Sequence, residues 1–150
     1  MLCNMEFEIK KLSFEEVWNL LIASENDYNP PLSQWIDIEK CAQKWSEKAW
    51  FLIGKYANEI ASVLVFYRND VTKSLYITHF SVSAKYRHKG IGHAMLSILI
   101  EQYKNEYKSI ELEAKKDSVA HAFYIREGFE YIEERGTKVY LSKQINNYKL

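Results

Sequence analysis

Residues 6–11 alternate charged and apolar side chains, with Phe7 and Ile9 on one face, the period of a half-buried strand. Ser13-Phe14-Glu15-Glu16 then forms a capping box, in which serine and glutamate side chains satisfy each other's backbone amides at a helix start. That helix carries Val17, Leu20 and Leu21 on one stripe and ends near Ser24, ahead of a loop closed by Pro30-Pro31. A second helix has Ile38, Cys41, Ala42, Trp45 and Ala49 at three-and-four spacing. Three strand-like runs follow, at 50–56, 60–68 and 74–82, separated by short polar turns that predict an antiparallel meander. The third is apolar or aromatic on both faces from Tyr76 to Val82, as expected of a strand buried on both sides.

Beyond a glycine-containing loop, Ala94, Met95, Leu96, Ile98, Leu99, Ile100 and Tyr103 predict a helix lying flat against the sheet. Residues 110–114 read as a short strand. Asp117 or Ser118 is placed to cap a helix through about Glu127, with Gly128 ending it in left-handed geometry. Two closing strands, 130–133 and 137–142, flank Arg135-Gly136. The order β-α-α-β-β-β-α-β-α-β-β predicts an α/β (α+β) fold: a mixed, mostly antiparallel twisted sheet flanked by helices. With no linker or repeat, the 150 residues read as a single domain.

Charge is balanced, 20 basic against 20 acidic residues, which argues against nucleic acid or an anionic membrane surface as a partner. No stretch approaches the ~20 apolar residues of a membrane span, and the first residues lack the pattern of a signal peptide. Cys3 and Cys41 have no metal-ligand spacing, so no metal is expected and both read as reduced thiols, Cys41 within the core. The expectation is a soluble, cytoplasmic protein. The closing strands offer an edge to a second chain, which leaves a homodimer open.

The chemistry concentrates in residues 80–94. An apolar strand reaches Val82, a basic loop follows with Arg87, His88 and Lys89, and Gly90 and Gly92 open the apolar helix. The first amides of a helix lack intrahelical acceptors and carry the positive end of its dipole; glycines let an anion close on them. This reads as a pyrophosphate cradle. A nucleotide P-loop would need G-x-x-x-x-G-K-[ST], but His93 follows Gly92. A dinucleotide fingerprint would need Gly or Ala where Met95 stands, after strands joined by crossovers rather than hairpins.

The segment Arg87-His88-Lys89-Gly90-Ile91-Gly92 satisfies R-x-x-G-x-G instead, and the stretch from Ala120 to Phe129 matches A-x-x-(F/L)-Y-x-x-x-G-F. In both, the chain resembles the GNAT superfamily of acetyl-CoA-dependent N-acetyltransferases, and the resemblance spans essentially the whole chain. It implies acetyl transfer from acetyl-CoA, the co-substrate, to a primary amine of a small molecule, amino sugar or peptide. Phe80 and Val82 would offer backbone groups to the pantetheine arm, and the Val82 amide would polarise the thioester carbonyl. Arg87, His88, Lys89, Gly90, Ile91 and Gly92 would hold the pyrophosphate. Tyr124 would be the general acid that protonates the departing thiolate. Asp117 stands where the family usually has a coenzyme-contacting Asn, and Ala84 and Ala61 stand where Pro and Gly are common.

An amine of pKa ~10.4 is almost fully protonated near neutrality, so a base is needed. His79 and Glu113, with Glu111 beside it, are the candidates. The loop at 25–33, with Asp27, Tyr28 and the proline pair, together with Trp35, is the expected acceptor grip. A protein that kept the fold as a catalytically inactive coenzyme-A-binding sensor or interaction module is the competing reading.

Overall fold

The structure, a computed structural model, describes residues 2–24, 31–34 and 37–146. Its strands are β1 (Met5–Lys10), β2 (Trp50–Tyr56), β3 (Glu59–Asn69), β4 (Ser74–Val82), β5 (Ser109–Lys115), β6 (Glu130–Arg135) and β7 (Lys138–Gln144). The helices are α1 (Phe14–Ser24), α2 (Ile38–Lys48), α3 (Ile91–Tyr103) and α4 (Val119–Arg126), so the element order is the one read from the sequence. The seven strands are hydrogen-bonded in the order β1-β2-β3-β4-β5-β7-β6; β1 with β2, β5 with β7 and β6 with β7 pair antiparallel, and β4 with β5 parallel.

Local chemistry explains the element ends. The capping box forms: Ser13 N donates to Glu16 Oε1 at 3.0 Å and Glu16 N to Ser13 Oγ at 3.1 Å. That arrangement lowers the Glu16 carboxyl, through the hydrogen bonds from Ser13. Asp37 caps α2 by accepting from Lys40 N at 3.1 Å. Between β2 and β3, Ala57 and Asn58 both have positive φ (50° and 66°), the conformation that matches the twist of a tight hairpin. Asn69 builds the next turn by accepting from the amides of Val71 and Thr72 at 3.0 and 3.1 Å.

By its internal contacts the chain divides into two compact units: Met1–Val65 with His79–Gly92, and Phe66–Thr78 with His93–Leu150. In the first, the core is Val17, Leu21, Ala42 and Trp45 with Phe51, Leu52, Leu64 and Val65. In the second it is Phe66, Leu75, Met95, Leu96, Leu99, Ile110, Leu112 and Leu141.

The strand buried along its length is β3 rather than β4. All residues from Ala61 to Phe66 are buried, whereas in β4 only Leu75 and Ile77 are. Phe80 and Val82, the two apolar residues of the half-buried end of β4, line a cleft instead. Cys41 is half-buried on α2 rather than in the core, and burial pushes its thiol up to about 11, which suppresses the reactive thiolate. No helix among the described residues is long and apolar enough to cross a membrane.

Candidate active site

The register between β4 and β5 ends at Ile77 opposite Leu112, although β4 runs on to Val82 and β5 to Lys115. On the other side, Ser83 N donates to Ala61 O at 2.8 Å, which holds the end of β4 against β3. Backbone groups alternate between the two edges of an extended chain. The N–H and carbonyl of Val82, and by the same alternation those of Phe80, therefore face the edge opposite β3. Those are the positions from which a strand accepts an extended ligand as one more strand.

Two anchors set the loop that follows. Tyr86, 6% exposed, donates its hydroxyl to Glu59, and Lys85 Nζ lies 2.7 Å from the same carboxylate. Lys85 is thus committed to the β2–β3 turn. Arg87 Nε donates to Val82 O at 2.8 Å, which uses one guanidinium nitrogen and leaves the two terminal ones without an intramolecular partner among the described residues. A single side chain therefore ties this loop to the strand edge. His88 (φ 63°) and Gly90 (φ 81°) both adopt left-handed backbone, and Lys89 between them is exposed. Ile91, 1% exposed, plugs the core at the first position of α3, with Gly92 immediately behind it. A side chain at Gly90 would find only Leu2 Cδ1, at 3.8 Å, so the glycine answers to backbone conformation, not to internal crowding.

In the first unit a cavity of about 790 Å³ opens beside this strand end. Phe80, Ser81, Val82, Ser83 and Arg87 line one side, and α1 lines another through Glu16, Asn19, Leu20, Ala23 and Ser24. β1 and β2 contribute Glu8, Lys10, Ile53 and Lys55. Asp27, Tyr28 and Trp35, the expected acceptor grip, lie outside the described residues.

The second unit holds Tyr124, on α4. Ser118, not Asp117, caps this helix, accepting from His121 N at 3.1 Å. Asp117 precedes the cap with φ 61° and its N–H donates to His121 Nδ1 at 3.1 Å. Asn and Asp are the side chains that best tolerate left-handed backbone, so the conformation accounts for an Asp at this place. At the other end Gly128 (φ 92°) reverses the chain, and Phe129 N donates to Tyr124 O at 3.0 Å. A Cβ on Gly128 would meet Lys143 Nζ at 2.6 Å, and that amine donates to Glu127 O at 2.9 Å. Tyr124 is 6% exposed and clamped edge-on between Phe123 and Phe129, with ring centroids 5.2 and 5.1 Å away. Its hydroxyl makes no hydrogen bond among the described residues. Burial raises its pKa, so the phenol keeps its proton throughout the neutral range.

Both carboxylates of β5 are engaged. Glu111 accepts from the Tyr140 hydroxyl and from Ser109 Oγ at 3.1 Å, while burial and the Glu111 bond push Tyr140 up to about 12. Glu113 is held by Arg135 at 3.2 Å, whose guanidinium lies 3.9 Å over the Tyr140 ring. That contact occupies Oε2 of Glu113. His79 is half-buried, 3.1 Å from Ser81 Oγ through Nε2, with its ring 5.5 Å from that of Trp45. Burial pushes its imidazole down to about 4, so it is neutral at pH 7.

A measurable consequence follows for acid stability. A depressed folded-state pKa contributes stability that is whole above the unfolded value of about 6.5 and is lost as pH falls through the folded one. The urea midpoint is expected to fall between pH 7 and pH 4, and His79→Gln to flatten that fall by about 2 kcal/mol. A variant with an unchanged slope would assign the acid sensitivity elsewhere.

Three features of the site have no signal in the sequence. Glu59 and Tyr86 are 27 residues apart, and their bond appears only once the hairpin brings them together. The return of Arg87 to the Val82 carbonyl is likewise a product of the turn at Ala84–Tyr86. Lys55 enters the cavity because of the β2 pleat.

The sequence model of the acetyltransferase (GNAT) domain matches residues 24–142. The fold is similar to that of the PaiA N-acetyltransferase of Thermoplasma acidophilum in complex with coenzyme A, with a TM-score of 0.71 at 17% identity over 93% of this chain and 99% of that one. It is similar also to the ribosomal-protein-S18-alanine N-acetyltransferase of Escherichia coli (TM-score 0.71, 16% identity, 96% and 97% covered). A GNAT family acetyltransferase of Elizabethkingia anophelis with acetyl-CoA bound gives 0.66 at 19% identity, with 94% and 98% covered. No curated protein matches the sequence itself. With the family match spanning most of its length, the chain belongs to the GNAT acetyltransferase family.

Proposed function

We propose that this protein transfers an acetyl group from acetyl-CoA to a primary amine of a small molecule, amino sugar or peptide by direct attack. The observation that carries the reading is the strand edge at Phe80 and Val82 running straight into the Arg87–Gly92 loop. An extended pantetheine arm pairs with the first, and its pyrophosphate sits on the second. The coenzyme A and acetyl-CoA complexes among the structural relatives support the same co-substrate.

The Val82 amide donates to the thioester oxygen as the amine adds, a contribution of ~3 kcal/mol for donors of this kind. Collapse of the tetrahedral intermediate breaks the carbon–sulfur bond, and Tyr124 gives its proton to the thiolate. His79, neutral near pH 7, and Glu113, once released by Arg135, are the groups for the amine's proton. Asp117 is retained as a backbone-defined position beside the coenzyme rather than as an amide donor. The acceptor occupies the cavity between the end of β4 and α1, with Asp27, Tyr28 and Trp35 as further contacts.

The test is release of free thiol from acetyl-CoA over a panel of primary amines, alongside coenzyme A binding by calorimetry. Acetylated amine formed in step with thiol is the expected result. Tight coenzyme binding with no turnover on any amine would make the protein a coenzyme-binding module instead.

A further inference from the structure

The cavity beside the end of β4 holds three carboxylates and three cations, and their partners are unequal. Glu8 is 3.6 Å from Lys10. Glu16 is occupied by the amide of Ser13, and Glu59 by Lys85 and Tyr86. Each acid lining the cavity thus has a protein partner. Arg87 spends one nitrogen on Val82 and ties the loop to the strand end. Lys55 differs from all of these. It is half-buried in the cavity wall and makes no hydrogen bond or ion pair among the described residues. Glu6, directly across from it on β1, is exposed and does not pair with it.

Lys55 is thus the one cation lining the cavity with no partner among the described residues, the ammonium there that an entering anion would meet unpaired. On β2, Lys55 stands two residues beyond Ile53, so its stem leans on an apolar wall while its charge faces the open volume. We infer that the acceptor is an amine that also carries a carboxylate, and that Lys55 is the residue that seats this carboxylate. The inference rests on the acetyl-transfer reading for the amine end of the molecule. It adds the charge of the other end, and hence an amino-acid-like acceptor class rather than a polyamine or an aminoglycoside.

The experiment uses three four-carbon amines of matched length: 4-aminobutanoate, its amide, and 1,4-diaminobutane. Each is assayed for acetylation, and its binding to the protein saturated with coenzyme A is measured by calorimetry. The anion is expected to exceed the amide at least tenfold in kcat/KM and in affinity, and the dication to be poorest. Lys55→Met keeps the apolar stem and is expected to collapse the anion-to-amide ratio toward one. Lys55→Glu is expected to reverse the order in favour of the diamine. A wild-type protein that treats anion and amide alike, or a ratio untouched by Lys55→Met, overturns the inference. If no amine is acetylated but the anion still binds preferentially through Lys55, the transfer reading fails while the seat stands. O-Phosphoethanolamine, run beside the series, shows whether the seat takes phosphate as well; a preference for it over 4-aminobutanoate would overturn the carboxylate assignment.

Discussion

Replacing Tyr124 by Phe is expected to lower kcat about 100- to 1,000-fold while leaving coenzyme A affinity within about twofold. The substitution removes one oxygen and keeps the ring that Phe123 and Phe129 clamp from either side. That oxygen makes no hydrogen bond among the described residues, so no buried partner among them is stranded by its loss and the fold is expected to hold. Burial that raises the phenol's pKa keeps the proton on oxygen at neutral pH, so the group is in its acid form when the thiolate is expelled. A simple thiol has a pKa of about 8.5, so expelling it unprotonated near neutrality is uphill. Stopped-flow or steady-state thiol release, with binding measured separately, gives the split between kcat and affinity. A variant that turns over at the wild-type rate would remove Tyr124 from the chemistry.

Gly90→Val is the second large effect, and it falls on binding. Coenzyme A affinity is expected to drop about 100-fold, the equivalent of two charge-assisted hydrogen bonds at roughly 1.5 kcal/mol each. The stability loss is expected to be smaller, about 1–2 kcal/mol, because a β-branched residue at φ 81° strains the backbone but meets no atom of the protein nearer than Leu2 at 3.8 Å. Calorimetric titration with coenzyme A and a urea midpoint on the same sample separate the two. Equal losses in both would mean that the loop had unfolded, and undiminished binding would place the pyrophosphate elsewhere.

The two motifs were legible in the sequence because each is local. A glycine with positive φ, a capping serine, and a tyrosine four residues before the terminating glycine are specified within a single turn. The element order followed from periodicity for the same reason. What could not be read was the use of charge. Arg87, Lys85 and Lys89 look alike in a basic run, yet one reaches back to a strand carbonyl, one is consumed by Glu59 and one faces outward. Glu111 and Glu113 look like available bases, yet Tyr140 and Arg135, some 22 to 29 residues further on, already hold them. The burial of β4 was not legible because apolar residues pack equally well against a core or along a cleft, and period alone does not distinguish them.

The division of the chain at β3 and β4 bears on how the protein can be cut. The first unit is interrupted by residues 66–78, the tip of the hairpin, and the second cannot be completed without them. A C-terminal fragment beginning at His93 would keep α3, β5, α4, β6 and β7 but lack Phe66, whose ring packs 5.5 Å from Tyr103, and the strand to which β5 pairs. An N-terminal fragment ending at Gly92 would carry that hairpin tip with nothing to receive it. A single proteolytic nick or an early stop therefore cannot release a working half, and a split reporter built on this fold has to send the hairpin from one fragment into the other.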